Sequence, residues 1–345
     1  MRMVAEKAGV HVSTVSLCLR DHPSIPASTR QRIRKLARQM GYRQNPLVSA
    51  LMASIHTRRV SSESPVLGLI IESELRHFFE DTPYYCNLLD GSRNRAAQLG
   101  YTLENFYTEP GLSEARRLGR ILHARNIRGV ILAPVLRPGG KSLLPLEGLA
   151  CAALGHSLHQ PDIHRVINNY GQSMLLAWSK LLARGYRRPG FVHILPTLER
   201  LRYDLLGPFL AIQTFHPECA SIPPLLFPTE TGQQEEHARE LSRWFKRHRP
   251  DVLISPPWLL LPLLETLGGH IRVPEETGVI LMNTEPGWAQ VRDNAELVGS
   301  GAVDMVVAQI HRNETGIPDH PKTMSINASW VDGFSLPDRR VTRNR

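Results

Sequence analysis

The residues best suited to touching another molecule come early in the chain. In VHVSTVSLCL (10–19), Ser13, Thr14 and Ser16 bring three hydroxyls into little more than one helical turn. An apolar core has no use for them there, whereas hydroxyls on a solvent-facing helix can hydrogen-bond base edges or phosphate oxygens. Cations gather nearby. Residues 1–60 hold eleven Lys and Arg against two acids, Glu6 and Asp21, and the remaining 285 residues hold thirty of each sign. The formal charge of +9 therefore sits in the first sixth of the chain. A basic module on a neutral body points to a module that alone meets phosphates.

The elements that must position these groups follow from spacing. Val4, Ala5 and Ala8 fall at i, i+1 and i+4, Gly9 tolerates φ > 0, and Val15 and Leu19 resume an apolar stripe. Two short helices joined by a tight turn are predicted, with small residues allowing a close crossing. Such a pair can lay its second helix in a major groove. An ordinary helical hairpin with a solvated polar face fits the pattern equally well. A third helix opens at Ser28 and Thr29, repeats Ile33, Leu36, Ala37 and Met40 at i, i+3, i+4, i+7, and ends at Gly41. Residues 45–54, NPLVSALMAS, begin with Asn and a Pro suited to a first helical position, and would be marginal as a helix alone. TRRVSSESP (57–65) reads as a boundary.

From Val66 the pattern changes to strands alternating with helices. Strands are predicted at 66–71, 102–107, 129–133, 149–154, 190–194, 251–255 and 278–282. Helices are predicted at 84–99, 113–125, 170–184, 234–248, 258–267 and 301–312, with another around Leu210 and Phe215. On 170–184 the expected inner face is Leu175, Trp178, Leu181 and Leu182, and MSINASW near the end reads as one returning strand. Continuous apolar strands between helices imply parallel sheets covered on both faces. Two such halves imply a cleft where strand C-termini meet.

Together these segments resemble a known family. AGVHVSTVS, HPSIPASTRQRIRKLARQMGY and NPLVSALM are similar, in order and spacing, to the DNA-binding head of the lactose repressor/galactose repressor family. VINNYGQSMLLAWSKLLARGYRRPGFV and IRVPEETGVILMN are similar to two stretches of that family's core, extending the resemblance to about residue 335. The resemblance implies an all-α helix-turn-helix head and an α/β two-lobed, periplasmic-binding-protein-like core of two doubly wound parallel sheets. The implied boundaries are a head at 1–44, a hinge helix and linker at 45–64, and a core at 65–335. Within the core, one lobe covers about 65–168, the second about 169–288, and the chain crosses back near 289–335, leaving a tail at 336–345. The family usually carries a few more residues, including a Thr cap, before the first helix; a start assigned late or a weakened first turn is expected here.

Carried over position by position, the resemblance gives base contacts to Val12, Ser13 and Leu17. Many relatives have arginine at the Leu17 position, able to bind guanine through two hydrogen bonds, whereas leucine offers only apolar contact, for instance to a thymine methyl. Phosphate contacts fall to His11, Thr14, Ser16, Arg20, Ser24, Thr29 and Asn45. Leu51 becomes an apolar wedge for the minor groove, whose unstacking cost is offset by bending the duplex toward more protein. In isolation, Leu51 reads as a residue packing on its own domain. TPYY (82–85) matches an effector-lining motif, assigning Tyr84 and Tyr85; Arg202, Asp204, Ser255, Trp258 and Asn283 complete the effector set. Charged partners usual in the family are replaced here by Asp204, Ser255-Pro256 and Asn283-Thr284. An effector of different chemistry from the family's sugars, or none, is expected.

Enzyme signals are poor. GHSLH (155–159) lacks the final glycine of a nucleophile elbow, and fifteen histidines form no paired-ligand motif. Neither a P-loop nor GxGxxG is present, so no catalytic residue, metal or cofactor is expected. Cys18, Cys86, Cys151 and Cys219 are widely spaced and fit a reducing compartment. No charged-then-apolar leader follows Met1 and no apolar run reaches about 20 residues, so a cytoplasmic protein without membrane contact is expected. The reading that results is a homodimeric, sequence-specific transcription regulator, in the repressor sense, working on a pseudo-palindromic double-stranded operator under a small-molecule effector, with a carbohydrate as one candidate class. The alternative is a solute-binding receptor with an incidental basic N-terminus. Anisotropy with DNA separates the two.

Overall fold

The computed structural model describes residues 2–19, 25–40, 64–135, 139–229 and 233–342. Contacts divide the chain into two units, one containing the N-terminal helices and the other Val66–Val307 with Thr315–Arg345.

The head is built from α1 (Arg2–Ala8), α2 (Val12–Leu19) and α3 (Ala27–Gln39). Val4, Ala5, Ala8, Val15, Cys18, Ile33 and Ala37 share one buried core, with Val10, Val12, Ile25, Leu36 and Met40 half-buried around it. The turn between α1 and α2 depends on Gly9, whose φ is +66°; a side chain there would be strained. Its N–H donates to Glu6 O at 3.3 Å, and Val10 N–H to Ala5 O at 3.1 Å, closing α1. The His11 carbonyl then accepts the amides of Thr14 and Val15, so His11 stands at the start of α2.

The body has two sheets. In the first lobe, β1 (Val66–Glu72), β2 (Thr102–Thr108), β3 (Gly129–Leu132), β4 (Ala150–Leu154), β5 (Arg165–Asn168) and β11 (Thr323–Ile326) lie in the spatial order β11-β5-β4-β3-β1-β2. Every pairing is parallel. The second sheet runs β12-β10-β9-β8-β6-β7, from β6 (Pro189–Ile194), β7 (Leu225–Phe227), β8 (Val252–Ser255), β9 (Gly278–Met282), β10 (Gln290–Arg292) and β12 (Ser329–Val331). Only its edge strand β12 is antiparallel. The strands β3, β4, β5, β6, β8 and β9 are buried along their whole length, as strands covered on both faces must be.

The helices of the body are α4 (Arg76–Asp81), α5 (Pro83–Gln98), α6 (Leu112–Ala124), α7 (Tyr170–Ala183), α8 (Leu195–Arg200), α9 (Leu206–Phe215), α10 (Gln234–His248), α11 (Pro257–Thr266), α12 (Ala295–Arg312) and α13 (Arg339–Thr342). Met174, Ala177, Trp178, Phe191 and Phe209 fill one side of the second sheet, and Val192, Phe227, Leu241, Phe245 and Leu260 the other. In the first lobe, α5 and α12 approach backbone to backbone. A Cβ at Gly91 would lie 2.1 Å from Glu296 O, and one at Gly299 would lie 2.1 Å from Leu88 O. Arg95 and Asp304 pair across the same two helices at 2.6 Å.

Several elements differ from the periodicity. Helix α12 begins six residues before Gly301, because its small residues serve the close approach to α5 and do not end the helix. On α7 the buried stripe is Met174, Ala177, Trp178 and Leu181, at i, i+3, i+4 and i+7. That register turns Leu175 outward, where it is 58% exposed. On α9, Phe209 and Ile212 face inward, whereas Leu210 and Phe215 are exposed. The expected terminal strand is two strands, β11 and β12, in different sheets. The strands β7 and β10, of three residues each, are too short to show a period, and β5 lacks an apolar run because Arg165 and Asn168 stand at its ends.

The chain passes between lobes three times. It leaves β5 through Asn168 and Asn169 into α7, returns from β10 through Asp293 and Asn294 into α12, and crosses again from β11 through Asn327 and Ala328 to β12. Second-lobe strands therefore extend to Arg292 and include Ser329–Val331. The three strands are tied by their own amides. Asn169 Nδ2 donates to Asn327 Oδ1 at 2.9 Å and Asn294 Nδ2 to Asn327 O at 2.7 Å. The Ser329 hydroxyl donates to Asn294 Oδ1 at 3.0 Å.

Candidate functional site

In the head, Val12 is half-buried against the three-helix core, while Thr14 and Leu17 are partly open on α2 and His11 is exposed just before it. Ser13 and Ser16 lie on the same helix. Thr29 sits half-exposed in the first turn of α3, whose Arg32 and Lys35 are exposed while Arg30 and Arg34 are half-buried. Arg32 also reaches the Ala8 carbonyl at the end of α1 (3.4 Å). Buried Cys18 lies beneath this basic helix; burial raises its thiol pKa, and Arg30, Arg34 and Arg32 oppose the shift. Arg20, Ser24, Asn45 and Leu51 lie outside the described residues.

The second candidate site is the crevice between the lobes, at the C-terminal ends of their strands. Thr82 and Pro83 start α5 after β1, which sets Tyr84 and Tyr85 at the mouth of the first lobe. Their rings meet edge-on at 5.3 Å, and Tyr85 also packs on Phe79 at 4.9 Å. Tyr84 reaches the crossover: its hydroxyl lies 2.9 Å from Asn168 Nδ2, which also has Asp293 Oδ2 at 3.2 Å and the Tyr170 hydroxyl at 3.4 Å. Three oxygens thus converge on a nitrogen with two hydrogens. Asn168 is only 4% exposed, and its Oδ1 is buried with no partner. Burial pushes Asp293 up to about 7 and raises Tyr84, Tyr85 and Tyr170 above the usual phenol value.

Across the crevice, His156, after β4, faces Asp204, between α8 and α9. His156 Nε2 and Asp204 Oδ2 are 3.2 Å apart yet not aligned for a hydrogen bond, so we read the pair as a charge contact only. Burial lowers the His156 pKa; Asp204 draws it up, and Arg165, Arg202 and His159 add to the lowering. Asp204 is presented by a turn in which Arg202 and Tyr203 take φ of +54° and +60°. Two successive left-handed residues without glycine are costly and are held by the surrounding structure.

The other predicted effector residues are placed less centrally. Ser255 is fully buried at the end of β8, its hydroxyl turned toward Pro256 O at 3.5 Å. Trp258, at the start of α11, is 52% exposed and meets buried His193 edge-on at 6.1 Å. Asn283 follows β9 with φ +131° and accepts the Thr284 amide at 2.7 Å. Asn168, Tyr170, Asp293 and His156 were missed in the sequence. The one available signal was NNY after an apolar strand, since buried asparagines at a strand end have to be satisfied by something. Two other concavities, of about 280 Å³ beside Glu109 and Lys141 and about 490 Å³ beside Leu264 and Trp288, include none of the predicted effector residues. We take the crevice as the site because Tyr84, Tyr85, Asn168, Tyr170 and Asp293 converge there from separate elements. Among the described residues no cluster of His, Cys, Asp or Glu could hold a metal ion, and no helix is long and apolar enough to cross a membrane.

These features define a class: a helix-turn-helix head on a chain whose body has two doubly wound lobes joined by three crossovers. Residues 1–45 match the family described as bacterial regulatory proteins, lacI family, and the head belongs to that family. The HTH-type transcriptional regulator MalR of Streptococcus pneumoniae is 26% identical over 198 residues, 55% of each chain. The chain thus spans about half the length of the curated relatives it matches. Among solved structures, the lac repressor dimer bound to operator and the anti-inducer ONPF superposes with a TM-score of 0.57 at 16% identity, covering 97% of this chain and 98% of that one. The transcriptional regulator CelR–cellobiose complex gives 0.55 at 17% identity, covering 96% and 98%. At such identities the likeness is one of fold.

Proposed function

We propose that the protein is a sequence-specific, DNA-binding transcriptional regulator whose affinity for DNA is set by a small molecule in the interlobe crevice. One observation carries this reading above the others: the basic three-helix head is a lacI-family head, and it stands on the same chain as a two-lobed body. The regulators similar to it include a dimer bound to operator and a complex with cellobiose, which favours a homodimer on a two-fold site and a small effector. Two heads on one axis read a pseudo-palindrome through adjacent major grooves. Val12, Ser13 and Leu17 are our candidates for base contacts. His11, Thr14, Ser16 and Thr29, with Arg20, Ser24 and Asn45, are candidates for phosphates, and Leu51 for the minor-groove wedge. Leucine at position 17 gives no bidentate contact to guanine, so the preferred site should depend on apolar contacts at that base pair.

The control would be reciprocal linkage. A ligand that favours one lobe arrangement shifts DNA affinity by a coupling of about 1–3 kcal/mol, and DNA shifts ligand affinity equally. Repression, by blocking a promoter, is the sense we assign. The experiment is fluorescence anisotropy on genomic fragments selected by the purified protein. Affinity for the best fragment should exceed that for random DNA by at least about 10³ and fall by about 10³ or more between 50 and 200 mM salt. Equal affinity for all fragments would refute sequence-specific regulation and leave the receptor reading standing.

A further inference from the structure

Resting on the effector reading above, we propose that the crevice takes a cationic ligand, a small primary amine or quaternary ammonium compound, whose charge is read by Asp293 among Tyr84, Tyr85 and Tyr170. Asp293 enters from the second crossover, and its Oδ2 is held by Asn168 Nδ2 at 3.2 Å. No cationic side chain among the described residues pairs with it. Burial alone accounts for its raised pKa, with no neighbouring charge contributing. A carboxyl that the fold strips of water and leaves without a cation either keeps its proton or is half of a charge pair whose other half arrives from outside.

The surroundings favour the second. Tyr84 comes from α5, Tyr170 from α7 and Asn168 from β5, so three elements converge where the lobes meet. Tyr84, Tyr85, Tyr170 and Asp293 each keep part of their surface open, as the walls of a crevice do. Phenol oxygens and ring faces both attract an ammonium group. The Asn168 amide leaves one buried atom without a partner, a place for a hydrogen bond from the ligand. Turning the amide over does not remove the vacancy, because the opposite end is then left unpaired. The charged groups nearby act on other members of the crevice: Asp204 on Tyr170 and His156, Arg200 on Tyr85, and Arg165, Arg202 and His159 on His156. A neutral polyol would leave the Asp293 charge uncompensated, whereas a cation holds it ionised and expels its proton.

The test is isothermal calorimetry on the full chain at pH 7 with matched probes: putrescine and 1,4-butanediol, choline and 3,3-dimethylbutanol, glucosamine and glucose. At least one ammonium probe should bind tenfold or more tightly than its neutral isostere. Its binding heat should vary with the buffer's ionisation enthalpy in the sense of proton release, up to about half a proton for a group titrating near 7. Asp293→Asn should abolish the preference, and Tyr84→Phe, which keeps the ring, should retain it. Equal binding of both members of every pair, binding of none, or a preference that survives Asp293→Asn overturns the inference. Anisotropy on the same preparations separates this from the regulator reading: selective DNA binding without a cation preference sinks only the inference, and loss of selective DNA binding sinks the reading beneath it.

Discussion

The unpaired carboxylate of Asp293 makes a prediction that needs no ligand. Burial raises its carboxyl in the folded protein from the ordinary 3.8 to about 7, so the fold holds this proton more tightly than the unfolded chain does, by about three pKa units. At roughly 1.4 kcal/mol per unit this gives an upper bound of about 4 kcal/mol, and water reaching the open side of the crevice reduces it to about 2. The sign follows from the raised value. The stabilising contribution is complete below about pH 4, declines as pH rises, and is gone above about pH 7. Asparagine keeps the shape and cannot ionise. The midpoint of Asp293→Asn should therefore exceed that of wild type by a margin that widens from pH 4.5 to pH 8, reaching roughly 4–8 °C at pH 8 for a body of this size. Differential scanning fluorimetry of both proteins from pH 4.5 to 8.5, without ligand, reads the difference curve, in which all other titrations cancel. A gap that does not change with pH, or a variant less stable than wild type at pH 8, would refute the argument that this carboxylate lies buried without a cation.

The packing makes three further predictions. Gly299→Ala drives a Cβ to 2.1 Å from Leu88 O and should cost about 3 kcal/mol or more, seen as a lowered urea midpoint, whereas Gly207→Ala, with nothing within 4 Å, should be neutral or stabilising by less than about 1 kcal/mol. Asp251 accepts the backbone N–H groups of both Arg187 and Arg188 at 2.8 Å, so Asp251→Ala should lose about 1–3 kcal/mol in the same assay; an unchanged midpoint would show those amides find water instead. In thiol labelling of the folded protein, Cys86, the one cysteine not buried, should react first, while buried Cys18, Cys151 and Cys219 should wait for unfolding. Fast labelling of Cys151, whose thiol burial pushes up to about 11, would contradict the packing described.

The head and the alternation of strands and helices were legible in the sequence because they are local. Gly9 after an apolar triplet, the stripe Ile33–Ala37 and the apolar strands around Val130 and Ile280 each state their own conformation within a few residues, and the structure forms them there. The spacing of AGVHVSTVS carried the family of the head for the same reason. Where the expectation slipped, the deciding contact was distant. Leu175 and Leu210 are as apolar as their neighbours, and only the placement of Trp178 and Phe209 against the second sheet turns them to solvent.

A cleft between two halves, with Tyr84 and Tyr85 in it, was expected from the sequence, but which groups meet there belongs to the tertiary structure. Asn168 and Asp293 are 125 residues apart, and Tyr84 lies 84 residues before Asn168, yet they meet around one amide. Nothing in NNY or VRDN announces that meeting, because an asparagine's partners are chosen by which crossover strand lies beside it and an aspartate's charge by how much water the fold removes. The chain alone determined where its helices and strands lie and which end carries the positive charge, since propensity, period and composition are properties of neighbours in sequence. Closing three crossovers at one place was left to the packing of two lobes, and that packing is what turned an unremarked aspartate into a buried acid waiting for a cation.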